Sequence, residues 1–279
     1  MQKPIIIAHR GASSLAPENT LLAARVAHAV GAQGWECDVQ LTRDGELVLM
    51  HDSTLSRTTN VREVFPHRSP WRVSDFFLRE IQKLDAGSWF ITRDPFGTIA
   101  SRETRGAISQ CVGEKVPSLY EALSLSRELN LFLNIEIKPL QWHFLSSREE
   151  YMVRQVVEMV RSFRLERRTL ISSFNREVIR YLGTIAPDVA GGLLIETIPS
   201  DVVLHLRRLG AVALHLDIAS FDPSLPLLLS QANLGLFLWT VDERSRLSQL
   251  VTTPGVTGII TNWPQWCSEE EAVLSSCDS

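Results

Sequence analysis

The sequence has few cysteines, no long hydrophobic run and no excess of positive charge. Its four cysteines contain no CxxC pair, which excludes the usual zinc-binding spacings and predicts free thiols in a reducing compartment. No run of about 18 apolar residues is present, so no transmembrane helix is expected. The apolar run at residues 5–8 is too short for the core of a signal peptide. We therefore expect a cytoplasmic protein that does not insert stably into a membrane.

The charge balance argues against nucleic acid as a partner. The formal net charge is −4, and no basic stripe is present to meet a phosphate backbone. Hydrophobic residues make up 44% and charged residues 22% of the 279 positions, so the chain can bury a large core. We interpret residues 1–279 as one domain, and the sequence leaves open whether it forms a homo-oligomer.

Short apolar segments alternate with longer segments of helical period, a pattern typical of βαβ units and a parallel sheet. Eight predicted strands lie at residues 4–8, 34–40, 131–137, 169–172, 189–194, 211–216, 235–239 and 258–261. Predicted helices lie at residues 19–30, 118–129, 148–163, 176–185, 200–209, 223–231 and 245–251. This order favours a TIM (β/α)₈ barrel, whose catalytic groups lie at the carboxyl ends of the strands. A doubly wound open sheet is the competing architecture.

Three local signals predict where helices begin. Asn19 or Thr20 is expected to cap the first helix, and Asp242 the last. Pro223, directly after Asp222, fits an early position in the helix that follows.

The segment at residues 53–116 is too long for an ordinary strand-to-helix connection and lacks a clear alternation of elements. We interpret it as a small inserted subdomain after the second strand. Just before it, residues 47–50 follow an Asp44-Gly45 turn signal and predict a short extra strand, paired with the end of the second strand. His51 and Asp52 then begin the inserted segment, over the mouth of the barrel.

Four of the predicted strand ends carry charged or titratable residues. They are His9 and Arg10, Glu36 and Asp38, His51 and Asp52, and Glu136 and Lys138. Because strand side chains alternate between faces, Glu36 and Asp38 share one face, as do Glu136 and Lys138. A barrel would direct these four side chains, from Glu36, Asp38, Glu136 and Lys138, toward one place.

Three carboxylates in one partly apolar place repel each other and are costly to desolvate. A divalent cation among them is the simplest explanation. Oxygen ligands from Glu36, Asp38 and Glu136 suit Mg²⁺ or Ca²⁺ better than zinc, and the sequence does not choose between those two ions.

The basic and histidine side chains point to a phosphate ester as the ligand. Arg10 and Lys138 supply fixed positive charge, and a guanidinium matches two phosphate oxygens at once. His9 and His51 titrate in the range where one is neutral and the other protonated, so the pair suits a general base and a general acid across a phosphoester.

Several motifs occur together in a fixed order. They are His9-Arg10-Gly11, Pro17-Glu18-Asn19-Thr20, Trp35-Glu36-Cys37-Asp38-Val39, His51-Asp52 and Glu136-Ile137-Lys138-Pro139. Together they resemble the glycerophosphodiester phosphodiesterase family. Later segments resemble the last four barrel strands of that family, namely Ser172-Ser173-Phe174, Leu238-Trp239-Thr240-Val241 and Gly258-Ile259-Ile260-Thr261-Asn262.

The resemblance implies a TIM barrel with an inserted subdomain after strand two. It also implies hydrolysis of a small-molecule glycerophosphodiester to glycerol 3-phosphate and an alcohol. By position, the implied site residues are an acid–base pair (His9 and His51), three metal ligands (Glu36, Asp38 and Glu136), two phosphate-binding cations (Arg10 and Lys138) and an aromatic residue on the glycerol side (Trp239).

The hypothesis for the reaction has two steps. A divalent cation offsets the phosphate charge while a base deprotonates the glycerol 2-hydroxyl, which attacks phosphorus to give a cyclic phosphate. One histidine protonates the departing alcohol, and the two exchange roles when water opens the ring. The sequence leaves open which histidine acts first as the base.

Each candidate also has a purely structural interpretation. His9 alone could be a buried, hydrogen-bonded histidine, and the His51-Asp52 pair could be a local loop contact. Glu36 and Asp38 could lie on a solvated strand face, and Trp239 could be ordinary barrel packing.

For three other residues, a supporting role is the favoured interpretation. Glu18 is expected to brace Arg10 or another basic group. His215 and Asp217 share a face near the end of a strand, and packing or support of the site is favoured for them over direct catalysis. The last strand continues as Thr261-Asn262-Trp263-Pro264, whereas members of the family more often carry an acidic or basic residue before the proline. This departure concerns the local loop and not the reaction.

Two rival functions remain at this level. One is a barrel phosphodiesterase acting on phospholipids, for which the aromatic residues of the inserted segment would form a membrane-facing rim and not a small core. These aromatics are Trp71, Phe76, Phe77, Trp89 and Phe90. The other rival is a non-catalytic barrel that binds phosphodiesters, a reading disfavoured because both histidines and all three carboxylates are present.

Overall fold

Nine β-strands form the framework of the residues that the computed structural model describes, which are 3–104, 108–140 and 144–267. The strands are β1 (Ile5–Ala8), β2 (Gly34–Leu41), β3 (Leu47–Leu49), β4 (Phe132–Ile137), β5 (Thr169–Ser173), β6 (Ala190–Ile195), β7 (Ala213–Asp217), β8 (Gly235–Trp239) and β9 (Gly258–Thr261). Eight of them pair in parallel in the order β1-β9-β8-β7-β6-β5-β4-β2, and β1 also pairs with β2. This last pairing closes the sheet into a barrel.

The predicted TIM barrel is confirmed, and the competing open sheet is wrong because β1 pairs with a strand on each side. Every predicted strand is present, with ends that differ by no more than two residues. The extra strand is also confirmed: β3 runs antiparallel to the end of β2, with Val39 opposite Leu49.

Helices follow the barrel strands and cover the outside of the barrel. Around the barrel they are α1 (Leu21–Ala29), α6 (Leu119–Glu128), α7 (Ser147–Phe163), α8 (Arg176–Ile185), α9 (Val202–Leu209), α10 (Leu225–Gln231) and α11 (Arg244–Leu250). Four short helices lie between β3 and α6, namely α2 (Val61–Val64), α3 (Leu78–Ile81), α4 (Ser88–Arg93) and α5 (Ile108–Cys111). Within the described residues, no helix is both long enough and apolar enough to span a bilayer.

The helix start signals are partly wrong. Thr20 caps α1 by accepting a bond from the Ala23 N–H at 3.1 Å, as one of the two predictions had it. Asp242 does not cap α11, because its carboxylate is engaged by Asn262 and not by the helix. Glu243 occupies the capping position without a side-chain bond.

The prediction for Pro223 is also wrong. The helix α10 begins two residues later, and Pro226 is the proline in its first turn. Asp222 instead accepts bonds from the backbone N–H and the hydroxyl of Ser224, both at 2.8 Å. Those bonds form a turn that keeps Pro223 outside the helix.

The inward faces of the strands fill the barrel with an apolar cluster below its carboxyl end. The cluster consists of Ile7, Leu170, Ala213, Phe237 and Ile260. A larger cluster lies between the outward faces of the strands and the helices. The carboxyl ends of the strands stand above the inner cluster and are left to polar residues, which is the arrangement that a TIM barrel uses for its site.

The long connection between β3 and α6 packs around apolar residues of its own. One cluster contains Phe76 and nine other buried residues, and Trp71 packs against it. A second cluster joins Phe90 to residues of the first βα connection, with Trp89 against it. Phe77 is half-buried under the guanidinium groups of nearby arginines. The small-core interpretation of these aromatics is therefore favoured over the membrane-facing rim, while residues 53–116 as the bounds of a subdomain remain a prediction.

Candidate active site

Three buried carboxylates converge at the carboxyl end of the barrel. Glu36 and Asp38 lie on the inward face of β2, and Glu136 lies beside Asp38 on the neighbouring strand β4. One ligand oxygen from each lies within 4.8 Å of the other two. Within the described chain, Glu36 Oε1 and Asp38 Oδ1 are buried and accept no hydrogen bond. The predicted convergence of these three residues is thus confirmed.

Two cations lie against the carboxylate cluster. Arg10 Nε is 3.3 Å from Asp38 Oδ2, while Lys138 Nζ is 2.7 Å from Glu136 Oε1 and 3.3 Å from Asp38 Oδ1. Arg10 adopts a left-handed backbone conformation with φ of 58° before Gly11, and this turn brings the arginine side chain back over β2. Lys138 is thus an ion-pair partner of two of the three carboxylates.

The protein's own cations satisfy only part of this negative charge. Burial raises the pKa of Glu36 well above its usual range, and the carboxylates of Asp38 and Glu136 add to the rise. Burial likewise raises the pKa of Glu136, and the nearby carboxylate of Asp38 raises it further. Burial also opposes the ionisation of Asp38, but Arg10 and Lys138 outweigh it and hold the pKa of Asp38 well below its usual range. Three buried carboxylates thus share only two cations, Arg10 and Lys138.

A divalent metal ion fits this donor set. The cluster offers only carboxylate oxygens, which Mg²⁺ and Ca²⁺ prefer, and two of those oxygens are buried without a hydrogen bond. A bound cation would add positive charge to a cluster in which three carboxylates share two protein cations. The solvated-face interpretation of Glu36 and Asp38 is wrong, since both side chains are almost completely buried.

The Asn262 side chain fixes the orientation of the His9 ring. Asn262 Oδ1 lies 2.8 Å from His9 Nδ1 and accepts a second bond from Ser13 Oγ at 2.7 Å. The Asn262 amide group donates to Asp242 Oδ2, and its backbone N–H donates to Asp242 Oδ1 at 2.9 Å. Since the NH₂ group faces Asp242, the oxygen faces His9, so Nδ1 carries the proton of the neutral ring and Nε2 carries the lone pair.

The lone-pair nitrogen of His9 lies beside the carboxylate cluster. His9 Nε2 is 4.0 Å from Glu36 Oε2. Burial, together with the Arg10 guanidinium, lowers the pKa of His9 to about 4. The ring is therefore neutral near neutral pH, and Nε2 is available to accept a proton.

His51 lies on the loop after β3, outside the barrel wall. Its Nδ1 is 2.8 Å from Asp52 Oδ1. The amide of Gln40, on β2, donates to the carbonyl oxygens of Met50 at 3.2 Å and His51 at 3.1 Å, and also to that of Asp52. These bonds attach the loop to the barrel. With the Asp52 carboxylate as acceptor, Nδ1 carries a proton and Nε2 is the ring nitrogen left for chemistry.

Arg57 connects the loop of His51 to the loop of His9. Arg57 Nε lies 2.6 Å from Asp52 Oδ2, while its two terminal nitrogens bond both oxygens of Glu18 at 2.7 and 2.8 Å. Glu18 Oε1 also accepts a bond from Arg10 at 2.9 Å, which confirms that Glu18 braces a basic group. A bidentate arginine is more restrictive than a single charge, so this chain fixes the orientation of Asp52 and, through it, of His51.

Replacing Arg57 by glutamine is expected to lower kcat by about 10- to 100-fold, because the partner that orients Asp52 is lost. KM should change little, since Arg57 lies behind His51, and Arg57→Lys should recover only part of the rate because it restores charge without the planar fork. Steady-state kinetics checks both variants.

The matched control is Arg161→Gln, which breaks an exposed arginine–carboxylate pair with Asp188 far from the site. Its kinetics should equal those of the wild type. A folded Arg57→Gln protein with wild-type kcat would contradict the positioning role of Arg57.

Trp239 lies at the end of β8, where its ring packs edge to face on Phe174 with 5.5 Å between the ring centroids. Its indole N–H is buried and has no acceptor among the residues of the described ranges. A buried donor is costly unless substrate or water supplies an acceptor. The position therefore favours substrate contact over packing alone.

His215 and Asp217 do not join the site. His215 is completely buried and stacks on Phe237 with 4.7 Å between ring centroids, and burial lowers its pKa to about 3. A side chain on Gly192 would meet the His215 ring at 2.7 Å, so the ring fills the space that the glycine leaves. Asp217 accepts a bond from the Ala219 N–H at 2.9 Å and begins a short turn. The packing interpretation of both residues is favoured.

Several supporting residues escaped the sequence interpretation. They are Asn19, which bonds Asp38 in place of capping the helix, together with Gln40, Arg57, Asp242 and Asn262. The sequence interpretation named Asn19 and Asp242 only as helix caps and Asn262 only within the last-strand segment, and it gave no role to Gln40 or Arg57. Gln40 lies two residues beyond Asp38 on the same strand, a spacing that could have placed it on the site face.

Comparisons with known proteins agree with this geometry. Residues 9–265 match the glycerophosphoryl diester phosphodiesterase family. A glycerophosphodiester phosphodiesterase of Caldanaerobacter subterraneus subsp. tengcongensis is 35% identical over 263 residues, covering 94% of this chain and 96% of that protein. Another from Bacillus subtilis is 31% identical over 267 residues, covering 93% of this chain and 84% of that protein. A solved Oleispira antarctica phosphodiesterase in complex with the product sn-glycerol-3-phosphate superposes with a TM-score of 0.76 at 28% identity, covering 99% of this chain and 98% of that one.

Proposed function

Because the chain belongs to the glycerophosphoryl diester phosphodiesterase family and is a glycerophosphodiester phosphodiesterase, we propose that it hydrolyses its substrates to glycerol 3-phosphate and an alcohol by cation-dependent, two-histidine catalysis. The observation that carries the proposal is the buried carboxylate cluster, against which His9, Arg10 and Lys138 lie. The product bound in the Oleispira antarctica relative supports glycerol 3-phosphate as the product here.

Glu36, Asp38 and Glu136 would hold one Mg²⁺ or Ca²⁺ ion. When bound, such an ion stabilises negative charge that develops on the phosphoryl oxygens. Arg10 and Lys138 border the same cluster and complete the positive side of the site, with the guanidinium suited to two phosphate oxygens.

His9 is the base of the first step in this proposal. Its Nε2 lone pair, fixed by Asn262, accepts the proton of the glycerol 2-hydroxyl, whose oxygen then attacks phosphorus to form a cyclic phosphate. His51 is the acid, and donates a proton to the oxygen of the departing alcohol while Asp52 holds its Nδ1–H. In the second step His51 takes a proton from water, which opens the ring, and His9 returns its proton to the glycerol oxygen.

Trp239 supplies an apolar wall for the glycerol in this arrangement, and its indole N–H supplies a donor. The partner is a small-molecule diester. A cytoplasmic location stays a prediction, and the sequence left the oligomeric state open.

The test is release of glycerol 3-phosphate from a panel of glycerophosphodiesters, with lysophosphatidylcholine micelles as a lipid substrate. We expect activity on soluble diesters to be lost in EDTA and to return with Mg²⁺ or Ca²⁺, because the carboxylate cluster then regains its missing positive charge. Turnover that persists in excess EDTA would contradict the cation dependence. Turnover of the micelles alone would favour the phospholipid-directed rival.

A further inference from the structure

A cleft of 620 Å³ opens beside the carboxylate cluster, between the ends of β4, β5 and β6. Its lining includes Lys138 just after β4, Phe174 just after β5, and Leu194 and Glu196 at the end of β6. Neither Trp239 nor His9 lines it. The cleft is large enough for a substituent bound to a phosphate that lies near Lys138.

The cleft lies on the His51 side of the site. Two of its lining residues, Gln40 and Ser53, belong to the surroundings of that histidine. Gln40 donates to the His51 carbonyl oxygen at 3.1 Å, and Ser53 follows His51 by two residues. In the proposed reaction His51 protonates the departing alcohol, so the group next to His51 is the alcohol and not the glycerol.

The cleft has one positive and one negative side chain in its lining, and they lie on different strands. Lys138 and Glu196 are its only charged lining residues in the described part of the chain. Both extend the inward face of their strands, since Lys138 follows Glu136 by two residues and Glu196 follows Leu194 by two. The two strands are separated by one other, which places the two positions roughly 10 Å apart at the backbone.

Lys138 is already engaged by two carboxylates, whereas the Glu196 carboxylate takes part in no ion pair within the described ranges. The Glu196 backbone is held in place, because its carbonyl oxygen accepts a bond from Ser220 Oγ in the next loop. The aromatic ring of Phe174 and the side chain of Leu194 form an apolar wall along the path between the two charges. A carboxylate beyond an aromatic wall is a binding arrangement for an organic ammonium group.

We propose that this cleft is the alcohol subsite and that Glu196 selects substrates whose alcohol carries an ammonium group, such as choline or ethanolamine. The inference rests on the proposed function. The phosphate lies at the Lys138 end, the two-carbon arm of the alcohol lies along Phe174, and the ammonium group lies at Glu196. Neutral alcohols such as inositol or glycerol gain nothing from the Glu196 charge.

The experiment compares Glu196→Gln with the wild type on glycerophosphocholine, glycerophosphoethanolamine and glycerophosphoinositol. We expect kcat/KM for the two ammonium diesters to fall about 3- to 10-fold through a higher KM, with kcat kept and the inositol diester unaffected. Glu243→Gln is the matched control, because Glu243 is an exposed glutamate at the same end of the barrel and lines a different cavity. That variant should leave all three substrates unchanged.

A binding measurement separates this inference from the proposed function. Dissociation constants for glycerophosphocholine and glycerophosphoinositol are measured by calorimetry on His51→Ala and on His51→Ala/Glu196→Gln, with the divalent cation present. If replacing Glu196 removes the preference for binding the choline diester, the alcohol subsite is supported. If the wild type at the same time hydrolyses neither compound, only the proposed function is contradicted. An equal preference in both proteins overturns the subsite, whatever the activity.

Discussion

Replacing His51 by alanine is expected to lower kcat on glycerophosphocholine by about 10²- to 10⁴-fold, the usual contribution of a general acid or base. The alcohol leaves as an alkoxide unless a proton reaches its oxygen, and in the proposed reaction His51 supplies that proton. His51 is also held by Asp52 and Arg57 in one orientation, so water entering the space of the deleted ring would not reproduce the geometry.

The identity of the leaving group gives this prediction a sharper form. A glycerophosphodiester of p-nitrophenol releases a stable phenolate that needs little protonation. The His51→Ala enzyme should therefore lose much less rate on formation of the cyclic phosphate from this ester than from glycerophosphocholine. Stopped-flow measurement of nitrophenolate release isolates that step from the later opening of the ring.

His67→Ala is the matched control, since His67 is an exposed histidine in the connection between β3 and α6, which also carries His51. It should keep the wild-type rate on both esters. Near-full turnover of glycerophosphocholine by a folded His51→Ala enzyme, with cation present, would contradict the acid role. An equal loss on both esters would instead indicate that His51 binds the phosphate without transferring a proton.

Replacing Asp38 by asparagine is expected to abolish measurable turnover and to remove the stabilisation that Mg²⁺ or Ca²⁺ gives the wild type. Asp38 is the carboxylate that both protein cations hold in its ionised form, and one of its oxygens lies within 4.8 Å of oxygens of Glu36 and Glu136. A ligand at 100 times its dissociation constant stabilises a folded protein by about 2.7 kcal/mol, so the effect is visible as a shift of Tm.

The measurement is the difference in Tm between cation-free and cation-saturated protein, determined for each variant. This difference cancels any loss of stability in the cation-free state, where Arg10 and Lys138 would have lost a partner. Glu136→Gln provides a second ligand variant, and Asp188→Asn, in an exposed ion pair, provides the control. If the cation still raises Tm in both the Asp38 and the Glu136 variants, the proposal that these carboxylates bind the cation is contradicted.

The residues that the sequence predicted correctly are those whose positions follow from strand geometry. Glu36 and Asp38 are two apart on one strand, and Glu136 ends the next strand of the barrel. Alternation of side chains and parallel pairing were therefore enough to bring the three together. A bound cation could also be predicted from the sequence, because three carboxylates at one place require a compensating charge.

The supporting residues depend on contacts that no local pattern encodes. Asn262 meets His9 only because β9 pairs with β1, across 253 positions of the sequence. Arg57 lies in an irregular loop, where its fork could have met any carboxylate nearby. Asp242 was assigned to a helix start by a local rule, but the amide and backbone of Asn262 compete for the same carboxylate and win it.

The two histidines belong to parts of the fold with different resistance to local unfolding. His9 extends a strand that is hydrogen-bonded on both sides within the closed barrel. His51 depends on a loop held by the Gln40 amide and by the Arg57 bridge, next to a segment with its own small apolar cluster. Segments with fewer long-range contacts open at a lower free energy than the barrel around them. On the roles proposed above, we therefore expect heat to release His51 while His9 and the three carboxylates are still in place, so that activity is lost at a lower temperature than the one at which the barrel unfolds.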